Sequence, residues 1–160
     1  MNTPTAAVLQ AAVKLLNETD GLATSLTNHA GSFEPGDVPV AELSQVPESL
    51  LEKQVRVQYP ACRVYCDRIE NKARVKFRKF SGSYRVVVEI THSQDRLAGL
   101  TDVLQATTDA VGDVLERNHG NVGNGMVLLP GYEAEIDDVK KGGLHYLQKS
   151  RVLWQMQWER

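Results

Sequence analysis

The chain has few of the residues that build a covalently or metal-stapled fold. It holds two cysteines, Cys62 and Cys66, both in "PACRVYCDRIE". If that segment is a strand, the thiols share a face about 13 Å apart, too far for a mutual disulfide. The four histidines, His29, His92, His119 and His145, are scattered without ligand spacing, so no donor set for a metal is expected. Two small, half-buried thiols in a reducing compartment are the expectation instead. No apolar run approaches the length of about 20 residues that spans a bilayer, so no membrane partner is expected. The N-terminal "MNTPTAAVLQAAVKLLNE" lacks the basic start of a signal peptide, and the expectation is a soluble protein made in the cytosol. A formal net charge of -2 exerts no general pull toward nucleic acid or acidic lipid.

What is there suits one domain, at 160 residues, 42% hydrophobic and 24% charged. A chain of this length buries roughly two-thirds of its unfolded surface. Thr5 to Asn17 places Ala6, Leu9, Val13 and Leu16 on one helical stripe, with Pro4 in the first turn. "DGL" ends that helix, and a short second helical turn is expected at Leu22 to Leu26. Gly31 to Pro60 reads as irregular: "GSFEPGDVPVAELSQVPE" carries three prolines and two glycines. A loop this long is uncommon inside a compact domain unless it is functional. Phe33, Val38, Val40 and Leu43 within it favour docking on a neighbour.

Three strand-like runs follow, Cys62 to Ile69, Ala73 to Phe80 and Tyr84 to Thr91. The short turns "ENK" and "SGS" between them imply an antiparallel meander. In the third run, Tyr84, Val86, Val88 and Ile90 alternate with Arg85, Val87, Glu89 and Thr91. The period then changes from two to 3.6, and Leu97, Leu100, Leu104, Val111 and Leu115 define a helix over about Gln94 to Asn118. Ser93 or Asp95 would cap its start and "NHG" its end. "GNVGNG" (Gly120 to Gly125) follows a helix and precedes a strand, the reverse of a phosphate cradle, and reads as a flexible connection. "GYEAEIDDV" directs Tyr132, Ala134 and Ile136 inward and Glu133, Glu135 and Asp137 outward. After a "KKGG" turn, a closing strand alternates Val152, Trp154, Met156 and Trp158 against Arg151, Leu153, Gln155 and Gln157. The expected class is α+β: a mostly antiparallel β-sheet with an N-terminal helix and a long central helix packed on one face.

The joint "THSQD" offers His92, Ser93 and Asp95 within four residues. Triad members converge from separate elements, whereas neighbours on one segment point apart, and no Gly-x-Ser-x-Gly elbow is present. No catalytic residue, cofactor or metal ligand is therefore assigned, and an enzyme is not expected. The strongest charge bias lies in "DRIENKARVKFRKFSGSYR". Arg74, Lys76 and Arg78 share one face of a strand, with Lys79 beside them and Val75 and Phe77 opposite. One reading is a solvated face that resists aggregation. Another sets this basic ladder against the acidic ladder Glu133, Glu135 and Asp137 of another subunit, as in a head-to-tail ring. A nucleic-acid-binding module would use the same ladder, although no aromatics interleave on it as stacking platforms.

The succession "RVYCDRIEN…VKFRKFSGSYRVVVEITHSQDRLAGL" and then "GYEAEI…VKKGGLHYLQKSRVLWQMQW" resembles the tail terminator proteins of long-tailed bacteriophages, over roughly Ala61 to Trp158. The resemblance implies a structural virion protein of the tail and neck, made in the host cytoplasm. It would form a ring, expected to be a hexamer, that stops polymerisation of the tail tube protein and offers a surface to the head-closure or connector protein. DNA would pass through that ring without sequence-specific contact. Another neck component, such as a head-closure or tail-completion protein, is the near alternative. No ligand residues carry over, because the family works through surfaces.

Overall fold

Tyr84, Val86, Val88 and Ile90 alternate along one strand and are all buried, which sets the face on which the helices pack. The computed structural model describes residues 3–18, 20–29, 41–43, 59–71 and 81–159. In chain order these form α1 (Pro4–Asn17), α2 (Leu22–His29), β1 (Ala41–Leu43), β2 (Ala61–Asn71), β3 (Ser81–Gln94) and α3 (Leu100–Arg117). Five further strands follow: β4 (Gly120–Gly123), β5 (Met126–Leu128), β6 (Glu133–Ile136), β7 (Lys140–Gly142) and β8 (His145–Glu159). The fold is α+β, with one sheet ordered β1-β2-β3-β8-β5-β4, and β6 and β7 pair the same edge of β8 as β5 does. Among the described residues every pairing is antiparallel except β1 with β2.

β3 and β8 form the spine, paired continuously from Ser81↔Glu159 to Gln94↔Tyr146. This register places Val86 opposite Trp154, Val88 opposite Val152 and Tyr84 opposite Met156. All six side chains are buried in one cluster with α1, α2 and α3. α1 begins at Pro4 after the Thr3 cap, whose Oγ1 accepts from the Ala6 amide at 3.2 Å. Its fully buried stripe is Val8, Ala12 and Leu16, with Leu9 and Val13 packed at the margin. The buried line is thus turned slightly from the expected Ala6, Leu9, Val13 and Leu16. α3 buries Leu104, Val111 and Leu115 as expected, and also Thr108, whose Oγ1 meets Ser150 Oγ of β8 at 2.7 Å. Among the described residues no helix is long and apolar enough to cross a membrane.

Several expectations are corrected. β2 and β3 pair directly, to Asn71↔Gly82, so they form a hairpin and not two outer strands of a three-strand meander. The expected strand Ala73 to Phe80 lies outside the described residues, within that hairpin's connection. The expected irregular stretch from about 31 to 60 contains a strand, β1, parallel to β2. Its Phe33, Val38 and Val40 lie outside the described residues. The Asn17 side chain secures β1: Nδ2 donates to the Ala41 carbonyl and Oδ1 accepts from the Ala41 amide, both at 2.9 Å.

The central helix starts at Leu100 and not at Gln94, because β3 continues to Gln94 in register with β8. Neither Ser93 nor Asp95 caps it; Gly99 stands at the N-cap in the left-handed region, with no side-chain cap bond. The "GNVGNG" segment is not a loose connection but the β4–β5 hairpin, with Asn124 at φ 53 and Gly125 at φ 77. A two-residue turn with both φ values positive matches the right-handed twist of paired strands, which is why Asn-Gly occupies it. A second close fit lies at Gly112 of α3. A Cβ added there would lie 2.3 Å from the Tyr132 hydroxyl oxygen, so the lack of a side chain lets the Tyr132 ring rest on the helix.

Candidate functional site

The face of the sheet away from the helices is laid out in charged rows. The register β6–β8–β3–β2 brings Glu135, Arg151, Glu89 and Arg63 into one line across four strands. Arg151 Nη2 lies 3.4 Å from Glu135 Oε2 and 3.2 Å from Asp137 Oδ1. Lys149 Nζ lies 3.8 Å from Glu89 Oε1. Two rows away, Arg85 grips Asp67 with two parallel bonds of 2.7 Å, the bidentate geometry in which guanidinium and carboxylate fit best. Leu153, Val87 and Tyr65 continue the Glu133 row as an apolar strip, in which Val87 is buried although it faces away from the helices.

The expected acidic residues Glu133, Glu135 and Asp137 stand side by side on and just after β6, together with Asp138. Glu135 and Asp137 share Arg151 of their own chain, while Glu133 has no ion pair among the described residues. Ala134 and Ile136 do not turn into the core. They lie on the helix side of the sheet but beyond the cover of α3, and Ile136 is 47% exposed. Tyr132 does pack inward, against α3. Burial holds its phenol above the usual tyrosine range, and Glu116, Asp109 and Asp113 add to the effect. Beside it a groove of about 370 Å³ runs past Arg85, Leu129, Glu133 and Leu153. The basic ladder Arg74, Lys76, Arg78 and Lys79 lies outside the described residues.

The "THSQD" joint does not assemble a triad. His92 and Ser93 are successive strand residues and so face opposite sides of the sheet. His92 is buried, with Nε2 3.2 Å from Gln94 Oε1, while Gln94 Nε2 donates to the Arg96 and Ala98 carbonyls and shapes the turn into α3. Among the described residues no three His, Cys, Asp or Glu side chains cluster as metal ligands. Cys62 is buried and Cys66 half-buried, both free thiols; burial pushes the Cys66 thiol up. Models of known protein families and characterised protein sequences give no match to the chain.

Sequence reading missed Arg151 and the Arg85–Asp67 clamp. The signal for Arg151 was its place in "SRVLW", but only the β6–β8 register shows that it faces Glu135. The clamp gives a measurable acid titration. The Arg85 guanidinium beside Asp67 holds its carboxyl below the usual carboxylate range. A depressed folded-state pKa contributes stability above the unfolded value of about 3.9, lost as pH falls through the folded one. Carboxyl NMR should therefore show Asp67 titrating below the usual aspartate range, and Arg85→Ala should raise it toward that range. An unchanged midpoint in that variant would show that the clamp is not formed in solution.

Proposed function

We propose that the protein is a ring-forming tail terminator of a tailed bacteriophage or tail-like particle, acting through its surfaces and not through a reaction centre. The observation that carries this reading is the β6 margin. Glu133, Glu135, Asp137 and Asp138 crowd one rim of the sheet, with exposed Ile136 and Val139 among them. A charged edge alone guards against pairing, whereas the exposed Ile136 and Val139 set among these acids give a neighbour apolar surface to cover. The resemblance of Ala61 to Trp158 to the terminator family supplies the kind of assembly. In it the chain would meet copies of itself, the end of the tail tube and the head-closure or connector protein, with DNA passing through unread.

The test mixes the purified protein with polymerising tail tube protein of a cognate particle. Tubes are expected to stop at finite length with density capping one end. Tubes that grow to indefinite length without a cap would overturn the reading. Tight binding to random DNA at physiological salt, falling steeply as salt rises, would replace it with a nucleic-acid-binding role.

A further inference from the structure

We infer that the outer edge of β6 receives one more strand, supplied by a partner protein as a short extended segment in which lysine or arginine alternates with apolar residues. The inference deepens the reading of this margin above and rests on it only for the kind of assembly the partner belongs to. It begins with the backbone. The Asp137 amide donates to the Lys149 carbonyl at 2.9 Å, so the pairs Asp137↔Lys149 and Glu135↔Arg151 are the hydrogen-bonded ones of this ladder. Ala134 and Ile136 then turn their N–H and C=O groups to the outside, where no described strand meets them. All four residues of β6 are exposed, so its side chains are open to a neighbour on both faces. An edge with free donors and acceptors is a template for one more strand.

Irregularities at both ends set the length of that template. On one side the Leu129 amide bonds the Gln155 carbonyl and Glu133 pairs Leu153, which leaves Pro130, Gly131 and Tyr132 opposite Trp154 alone. On the other, Asp138 and Val139 stand opposite Gln148 alone, between Asp137↔Lys149 and Lys140↔Leu147. Extra residues of this kind bend a strand and interrupt regular pairing. The straight edge is therefore residues 133–137. Glu133, Glu135 and Asp137 lie toward its charged face, and Ala134 and Ile136 toward its helix face.

Charge decides what this edge accepts. The row Arg63, Glu89, Arg151 and Glu135 changes sign at every strand. It ends on an acid at the open edge, so the next place in it suits a cation. Arg151 alone among the described cations meets Glu135 and Asp137, and Glu133 meets none. From 133 to 138 the sequence holds four acids and no base. A second β6 laid against the first would set acid beside acid in any register that keeps Ile136 on the apolar side. A slip of one residue would turn those acids onto Ile136 instead. The edge thus turns away copies of itself and admits a strand of the opposite pattern. Cations on that strand face the three acids, and its apolar residues cover Ala134 and the half-exposed Ile136.

Three short fluorescent peptides test this against the whole chain: one alternating lysine and valine, the same peptide with every amide N-methylated, and one alternating glutamate and valine. By anisotropy, the first is expected to bind at least about tenfold more tightly than either other, since N-methylation removes the backbone bonds and glutamate reverses the charge. With it bound, amide exchange should slow at Ala134 and Ile136 and stay as it was at Glu135, whose amide already faces β8. Ala134→Pro removes one outward donor and leaves the β8 ladder whole, a change that edge strands tolerate. It should weaken capture of the lysine peptide at least about tenfold with the unfolding midpoint unchanged. Glu133→Lys combined with Glu135→Lys should move the preference toward the glutamate peptide. Equal binding of the N-methylated peptide, or unchanged exchange at Ala134 and Ile136, would overturn the inference. An unchanged preference in the double lysine variant would do so even if the proline variant fails to fold. Slow exchange at Ala134 and Ile136 in the protein alone, lost on dilution, would assign the edge to a second copy and overturn it too. Peptide capture at this edge by a protein that leaves tubes uncapped would sink the terminator reading alone, and capped tubes without peptide capture would sink this one alone.

Discussion

Trp154→Ala is expected to lower the stability of the monomer by about 3–5 kcal/mol, in the range of large-to-small changes in a packed core. Trp154 is 2% exposed and stands at the middle of the longest pairing in the sheet, opposite Val86. Its indole N–H has no hydrogen-bond partner among the described residues. The loss is therefore one of packing and burial, with no polar bond removed. Trp158 differs, being 8% exposed, tilted against Tyr84 at 6.5 Å and donating to the Asn124 carbonyl at 3.0 Å. Urea unfolding followed by circular dichroism measures the difference, provided the slope is unchanged between variants. A loss below about 1.5 kcal/mol would mean that the site collapses around the missing ring and that the core is looser than its burial implies.

Asn17→Ala is expected to cost about 2–4 kcal/mol and to release β1 from the sheet before the rest unfolds. One amide side chain satisfies both the N–H and the C=O of Ala41, and Ala41 is buried. Each buried backbone group left without a partner costs about 1–3 kcal/mol. β1 is three residues long with only β2 as a strand partner among the described residues, so little else holds it. Amide exchange should rise sharply at Ala41 and stay slow at Val86 and Val88. Asn17→Asp should not rescue, since its carboxylate accepts from the Ala41 amide but repels the Ala41 carbonyl. Rescue by Asp would instead assign Asn17 to the end of α1.

The parts legible in sequence are those where one period runs long enough to outlast its ends. Tyr84 to Ile90 and Val152 to Trp158 alternate over several residues, and both strands are found where expected. The start of α3 was not legible, because Leu97 fits the stripe of Leu100 and Leu104 by spacing alone. Pairing decides it: Ser93 and Gln94 find partners in Leu147 and Tyr146 of β8, and a local cap cannot compete with that ladder. Leu97 is left 57% exposed in the turn. The β4–β5 hairpin was missed since each arm is too short to show alternation, although Asn124-Gly125 is itself a hairpin signal. At β6 the alternation gave the correct face but not the depth, since periodicity says which way Ile136 points and nothing about how far α3 extends over it. The acids Glu133, Glu135 and Asp137 were visible as a ladder; their tie to Arg151 needed the register.

Consider the order in which the ribosome delivers this sheet. β8 is the shared partner of β3, β5, β6 and β7, and all four are synthesised before it. Between the end of β3 at Gln94 and the start of β8 at His145 lie about fifty residues, a few seconds of translation at about 5–20 residues per second. During that interval the nascent β2–β3 hairpin carries a complete valine face and one open edge. α3 emerges next and can cover the face, but among the described strands only β8 pairs the edge of β3 that β2 leaves open. A chain that stalls before His145 thus displays an adhesive strand to every neighbour on the polysome, whereas the finished chain seals it with fourteen consecutive pairings.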